Sequence, residues 1–267
     1  MKLLRKVFWL FALLFFIPHS SYAGVRGPGT YVGTVIFDRW GGCTLYNGSN
    51  VMYISEKIKQ QLLPYKNEAI QILAIDVSQP MNPGDGLIKK FEHLSTSVPS
   101  PPWVDSLVIT TSPAFQNEEP PSIKIEVKNT SKKDLRIYSE NLAPTLLTTT
   151  TKNDFFSPSD GPSVALVTRV SFWSDFDNVP RLNDKGIPND PPYIWTVEKD
   201  HALLEYFSLK PGETRQIKIS FHLPKGEYEF LCGYGVGVHQ YKCVTSNLTP
   251  FDVDKEGNGK IVTPKAH

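Results

Sequence analysis

The sequence lacks the motifs that mark most enzymes. It contains no H-E-x-x-H metalloprotease pattern, no G-x-S-x-G nucleophile elbow, no Walker loop and no dinucleotide-binding glycine fingerprint. Gly233, Gly235 and Gly237 alternate along a predicted strand and do not open a helix. Acidic pairs such as Asp175 and Asp177 find catalytic partners only in the fold, and their polar surroundings favour solvation. We therefore expect a protein that is not an enzyme and that needs no cofactor.

The sequence also lacks an apolar run long enough to cross a membrane at its N-terminus. The run there covers residues 7–17, follows a basic start and precedes a small-residue pattern that ends at Ala23. A spanning helix needs about 20 apolar residues, whereas this arrangement is typical of a cleaved secretory signal peptide. We expect residues 1–23 to be the signal peptide, the mature chain to be secreted or periplasmic, and no transmembrane segment to remain.

Dense runs of Lys and Arg are absent after residue 23. The formal net charge of the whole chain is +1, and removal of the three basic residues of the signal leaves −2. Proteins that bind nucleic acid usually carry a basic stripe on one face. We therefore expect no nucleic-acid partner.

Turn-forming residues, in contrast, are abundant. The chain has 22 prolines and 18 glycines, which separate short apolar stretches. This composition favours β-strands joined by turns over helices. We predict an all-β fold with a minor α-helical part, arranged as two domains.

Residues 24–95 are predicted to form a small β-barrel-like domain. Four strands are predicted in it, at residues 30–38, 50–55, 69–77 and 86–94. An amphipathic helix is predicted over residues 55–65, where Ser55 can cap the first turn. Strands on both sides of a single helix resemble the arrangement in small OB-like and SH3-like barrels.

Residues 103–253 are predicted to form a second, larger β-domain. The proline-rich segment 96–102 is interpreted as an extended interdomain linker, and residues 254–267 as a flexible C-terminal tail. Eight stretches between the linker and the tail alternate or run apolar between turn residues. The segment LKPGETRQIKISFHLPKGEYEF, which joins two of them, resembles a pair of late strands in immunoglobulin-like and fibronectin-like domains, and this resemblance implies an immunoglobulin-like β-sandwich.

Two of the three cysteines lie in a predicted hairpin. If the chain reverses between Gly237 and Val238, Cys232 and Cys243 lie directly opposite each other and within disulfide reach. A secreted chain meets an oxidising compartment. We predict a Cys232–Cys243 disulfide, with two buried thiols as the alternative. For Cys43 we leave open burial, a free thiol or an intermolecular bond, and burial is favoured.

A copper site in the same region is the less favoured hypothesis. FHLPKGEYEFLCGYGVGVH resembles the last strands of the cupredoxin family, and that resemblance implies His222, Cys232 and His239 as candidate ligands. Six residues separate Cys232 from His239 and no methionine follows, which departs from the family's pattern. We therefore predict no metal in this hairpin.

A calcium site near the C-terminus is also disfavoured. DVDKEGNGKI resembles half of an EF-hand loop, with Asp254, Glu256 and Asn258 at positions of oxygen ligands. Lys265 stands where the loop needs its bidentate glutamate. A polar turn is the favoured interpretation.

These observations together indicate a secreted or periplasmic, non-enzymatic protein with a binding, adhesion or structural role at the cell envelope. Its partner would be a protein or a glycan. The first alternative is a β-sandwich proteinase inhibitor, because the loop at residues 175–192 is long and rich in proline. The second alternative is an extracytoplasmic protein that binds copper or calcium.

Overall fold

The fold is dominated by β-strands. A computed structural model describes residues 27–48, 51–78, 86–138, 141–149, 164–169, 194–197, 206–235 and 241–262. These residues form seventeen strands, one short α-helix and two 3₁₀ helices. The prediction of a β-rich chain with a minor helical part is confirmed. The predicted signal peptide, the 175–192 loop and His239 lie outside the described residues.

The N-terminal part is a closed five-stranded barrel. Its strands are β1 (Gly29–Phe37), β2 (Cys43–Tyr46), β3 (Val51–Ile54), β4 (Ala69–Ser78) and β5 (Gly86–Ser95). They follow the order β1-β2-β3-β5-β4, and β4 closes on β1. All neighbours are antiparallel except β3 and β5, which are parallel. The predicted barrel is therefore confirmed, although the sequence did not reveal β2.

The barrel contains the predicted helix, which lies between β3 and β4. It begins as α1 (Glu56–Lys59) and continues as a 3₁₀ helix (Gln60–Tyr65). Ser55 caps it as predicted, because its side-chain oxygen accepts a hydrogen bond from the Lys57 N–H over 3.3 Å. Pro64 lies inside the 3₁₀ part and has no N–H to donate to the helix, which ends at the next residue, Tyr65.

Twelve further strands and a 3₁₀ helix (Val104–Ser106) follow the barrel in the described part of the chain. The strands are β6 (Leu107–Pro113), β7 (Ser122–Asn129), β8 (Leu135–Tyr138), β9 (Leu142–Thr149), β10 (Val164–Arg169), β11 (Ile194–Val197), β12 (Tyr206–Leu209), β13 (Thr214–His222), β14 (Gly226–Tyr234), β15 (Val244–Thr245), β16 (Thr249–Val253) and β17 (Gly259–Ile261). They form three sheets, with the orders β10-β9-β14-β16-β17, β11-β13-β7-β6 and β12-β8. The short strand β15 pairs with β14 beside this order.

Alternation along the strands creates one apolar core from all three sheets. β14 and β16 contribute Phe230 and Phe251, β7 and β13 contribute Ile125 and Ile219, and β8 contributes Ile137. Each of these side chains is at most 2 % exposed. The burial of apolar surface in this cluster is the main force that holds the three sheets together.

The segments predicted as linker and tail are both tied to these sheets. In the predicted linker, the Pro99 carbonyl accepts a hydrogen bond from the Lys242 N–H over 2.8 Å. After β16, the chain turns at Gly257, which has a φ of 86°, and β17 pairs back onto β16. The prediction of a flexible tail beginning at residue 254 is therefore wrong for residues 254–261, because they form a β-hairpin.

A second apolar cluster joins the barrel to the C-terminal sheets. Ile36, Tyr46 and Val51 from the barrel pack with Leu147 and Leu231 from β9 and β14. These two leucines point away from the core described above, since neighbouring residues of a strand face opposite sides of the sheet. The barrel thus covers the outer side of the β9–β14 pair.

Candidate functional site

A concave site lies where the 3₁₀ helix at Val104–Ser106, β8 and the end of β14 meet. It is a cavity of about 450 Å³. Its lining residues are Trp103, Leu107, Asp134, Leu135, Arg136, Ile137, Tyr138, Asn141 and Tyr234. This volume and this mostly apolar lining, with a few polar groups, are typical of ligand sites.

The floor of this cavity is part of the apolar core. Leu107, Ile137 and Tyr234 are all less than 6 % exposed and belong to the core cluster. The Trp103 ring packs edge-on against the Tyr234 ring, with 5.0 Å between their centroids. Because rigid, well-packed side chains form the floor, the cavity keeps its shape without a ligand.

The wall of the cavity is the edge of β8. All five residues from Asp134 to Tyr138 line it, although their side chains alternate between the two faces of the strand. Consecutive residues can all line one cavity only where the cavity runs along the strand's edge. Among the described strands, β8 pairs only with β12, and the cavity runs along its other edge.

One hydrogen bond shows which backbone groups point to that edge. The Tyr138 N–H donates to the Tyr234 hydroxyl over 3.2 Å, away from β12. In an antiparallel pair, alternate residues direct both their N–H and C=O to the same side. The N–H and C=O of Arg136 therefore also point towards the cavity.

Charged and aromatic side chains cover the outer face of β8 and β12. The Arg136 guanidinium lies over the Tyr206 ring, 4.5 Å from its centroid. Tyr138 lies opposite Tyr206 in the register of the two strands, and both rings are more than a third exposed. Such a cation–π contact holds the Arg136 side chain on this outer face.

The two hairpin cysteines do not face each other. Gly233 pairs with Thr245 and Tyr234 with Val244, so in the same register Cys232 lies opposite Ser246. Two hydrogen bonds between these residues agree with this placement. The Cys232 N–H donates to the Ser246 hydroxyl, and the Ser246 N–H donates to the Cys232 carbonyl. The predicted register is therefore wrong by three residues.

An odd shift of register places the two thiols on opposite faces of the sheet. Cys232 belongs to the sheets' core, whereas the Cys243 thiol lies 3.7 Å from the Tyr46 carbonyl on the barrel side. Both cysteines and Cys43 are free thiols. The predicted Cys232–Cys243 disulfide is wrong in this structure, and the favoured burial of Cys43 is confirmed.

The structure does not bring together the two copper candidates that it describes, Cys232 and His222. Cys232 is inside the core, and burial raises the pKa of its thiol, which favours the neutral form over the thiolate that copper requires. His222 lies at the end of β13 in another sheet, with an exposed side chain, whereas the preceding Phe221 is in the core. His239 lies outside the described residues.

The calcium candidates form the turn between β16 and β17. The Asp254 Oδ1 accepts hydrogen bonds from the N–H groups of Glu256 and Asn258, both over 2.9 Å. These bonds lower the pKa of Asp254, with the one from Asn258 contributing most. The favoured interpretation as a polar turn agrees with this geometry. The described residues contain no group of three or more His, Cys, Asp or Glu side chains placed to hold a metal ion.

Sequence reasoning did not identify the cavity. Trp103 follows the proline-rich segment directly, and the stretch DLRIY alternates polar and apolar residues, which is a sign of a half-buried strand. Neither feature shows which edge of the strand lies along the cavity, because that depends on which strands pair in the fold.

Comparisons with known proteins give no relative. No protein-family model matches the chain, and no curated protein matches it. Within the described ranges, none of the helices is long and apolar enough to span a membrane.

Proposed function

We propose that this chain is a secreted or periplasmic binding protein, not an enzyme, that captures an extended segment of a protein partner along the edge of β8 that faces away from β12. The signal-like residues 1–23 and the missing catalytic motifs support the location and the class. We further propose that the barrel is OB-like and that the C-terminal sheets are an immunoglobulin-like sandwich, since two antiparallel sheets share one core there.

The observation that carries this proposal is the cavity along the edge of β8 that pairs with none of the described strands. An extended peptide can add to such an edge by backbone hydrogen bonds, and pockets beside the edge then select its side chains. The Arg136 N–H and C=O supply the hydrogen bonds, while Trp103, Leu107 and Ile137 form an apolar pocket beside them. The partner segment is therefore expected to carry an aliphatic or aromatic residue at the position that enters this pocket.

In this proposal the barrel does not bind a ligand through the face that OB-fold barrels use. OB-fold barrels bind oligonucleotides and oligosaccharides over the face of their second and third strands. Here Tyr46 in β2 and Val51 in β3 are buried against Leu147 and Leu231 of the C-terminal sheets. That face is therefore used to hold the two parts of the chain together.

A protein segment is favoured over a glycan as the ligand. The open strand edge matches a peptide backbone and has no counterpart in a sugar.

Parallel selections on the purified protein test this proposal. A displayed library of random linear peptides and an array of neutral, acidic and N-acetylated oligosaccharides are both presented to the full chain. We expect selected peptides that share one large apolar residue and that lose binding in Trp103→Ala. The matched control is Tyr241→Ala, which removes an exposed aromatic ring outside the cavity. Oligosaccharide binding that depends on Trp103, without peptide binding, would contradict the proposal and assign a glycan ligand.

A further inference from the structure

Two carboxylic acids are buried together where the barrel meets the C-terminal sheets. Asp38 follows β1 and is 7 % exposed, and Glu229 lies in the middle of β14 and is 4 % exposed. Glu229 and Leu231 are two residues apart in β14, so both side chains point to the side of the strand that faces the barrel. Acidic residues are rarely buried to this extent unless they are paired, so this pair needs an explanation.

Each carboxyl group is only half satisfied. The Asp38 Oδ1 accepts hydrogen bonds from the N–H groups of Trp40 and Gly42, over 2.9 and 2.8 Å. The Glu229 Oε1 accepts one from the Arg39 N–H over 3.2 Å. The second oxygens, Asp38 Oδ2 and Glu229 Oε2, are buried and have no hydrogen-bond partner.

The chain between Asp38 and Gly42 also makes the charged contacts of this joint. The Arg39 Nη1 donates to the Asp252 Oδ1 in β16 over 2.7 Å. The Trp40 Nε1 donates to the Glu227 Oε2 in β14 over 2.7 Å. This turn of the barrel is therefore fastened to the C-terminal sheets through three acidic side chains, of which only that of Glu229 is deeply buried.

The charges around the pair do not neutralise both acids. Arg39 is already bonded to Asp252, and Lys59 is already bonded to Glu56. Leu147 and Pro250, which lie opposite Glu229 on β9 and β16, carry no charge. Among the described residues, the titratable and charged groups around the pair are Arg39, Cys43, Glu56, Lys59, Lys66, Glu227 and Asp252.

We propose that Asp38 and Glu229 form a proton-controlled latch, in which a proton on the pair keeps the barrel fastened to the C-terminal sheets and loss of that proton loosens the joint. With one proton, the Asp38 carboxylate keeps its two backbone hydrogen bonds and Glu229 is neutral. Without it, two negative charges are buried in the same joint, where water screens them poorly. The latch is independent of the binding site on β8, because none of its groups lines that cavity.

The electrostatic setting of both groups agrees with this geometry. Burial raises the pKa of Glu229 to about 7, with a further contribution from the Asp38 charge, and the Arg39 N–H opposes it. Burial also raises the pKa of Asp38, against the hydrogen bonds from Gly42 and Trp40. Between the ordinary value of 4.5 and about 7, the folded chain holds more protons than the unfolded chain. The stabilisation is therefore fully present below about pH 4.5 and is lost as the pH rises towards 7.

Hydrogen exchange of the Arg39 amide in the full chain tests the latch. The exchange rate is measured at pH 5 and pH 8 and corrected for the intrinsic pH dependence of amide exchange. In the wild type we expect the protection factor to fall about tenfold or more between the two pH values. Glu229→Gln mimics the protonated acid, so its protection should be the same at both values. Glu227→Gln is the matched control on the same face of β14, and it should keep the wild-type pH dependence.

An unchanged protection factor in the wild type would overturn the latch. So would Glu227→Gln abolishing the pH dependence, since the exposed carboxylate would then be the responsible group. If Glu229→Gln does not fold, the carboxyl carbon of Glu229 in the wild type can be titrated by NMR. A midpoint near 7 supports the latch, and an ordinary midpoint near 4.5 overturns it.

Discussion

Gly233 in β14 lies so close to Tyr46 in β2 that an added Cβ would be 2.8 Å from the tyrosine ring and from its hydroxyl oxygen. The same hydroxyl donates a hydrogen bond to the Ala143 carbonyl in β9 over 2.8 Å. A side chain of the barrel thus occupies the space that the missing side chain leaves on the sheet. This fit defines how the barrel is seated on the C-terminal sheets.

Gly233→Ala should therefore weaken the joint between the two parts of the chain. We expect the free energy of unfolding in urea to fall by about 1–3 kcal/mol, because a methyl group cannot enter this packing without moving Tyr46 or β14. Gly29→Ala is the matched control, since the nearest atom to its Cβ would be 4.0 Å away. Equal unfolding free energies for Gly233→Ala and the wild type would show that the close contact does not exist in solution.

The three thiols should all be free in the folded protein. Cys232 and Cys243 lie on opposite faces of the β14–β15 pair, so they cannot bond without a change of register. Alkylation in denaturant without a reductant, followed by mass spectrometry, should add three labels. One label per chain, at Cys43 alone, would instead support the Cys232–Cys243 disulfide. It would also support the register predicted from the sequence, which differs from that of the structure by three residues.

The turn at Asp254 should be structural and not a calcium site. Asp254→Ala removes the acceptor for the Glu256 and Asn258 N–H groups, so these two amides should exchange faster with solvent. Lys255→Ala changes a neighbouring exposed side chain and should leave their exchange unaltered. Calcium should not shift the unfolding midpoint of the wild type. A midpoint that rises with calcium and no longer does so in Asp254→Ala would contradict this account.

The sequence predicts a helix or strand well where the residues of that element alone determine its structure. Ser55 and the apolar spacing that follows it predicted the capped helix, and the short apolar stretches predicted most strands. The sequence did not predict β9, because Pro144 in its middle argues against a strand. In the structure, Pro144 nevertheless lies opposite Cys232 within the sheet. The sequence did not predict β2, because its four residues, Cys43–Tyr46, are bounded by turns and are too few to show the alternation of a strand.

What depends on distant pairing could not be read from the sequence. The hairpin cysteines illustrate this, because a turn placed at Gly237 and Val238 predicts a register that the pairing of Gly233 with Thr245 overrules. The latch between Asp38 and Glu229 joins residues that are remote along the chain, and nothing local marks either of them for burial. The cavity at β8 likewise depends on which strands pair in the fold.

The most direct test of the proposed function compares two substitutions at Arg136. Arg136→Ala removes the side chain and keeps the N–H that points to the cavity, whereas Arg136→Pro removes both. Because this N–H does not point towards β12, proline at this position should leave the β8–β12 pair intact. The dissociation constant of a selected peptide is measured by calorimetry for both variants. If the peptide adds to β8 as a strand, Arg136→Pro should bind it about tenfold more weakly than Arg136→Ala. Equal dissociation constants would show that the edge of β8 does not bind the partner.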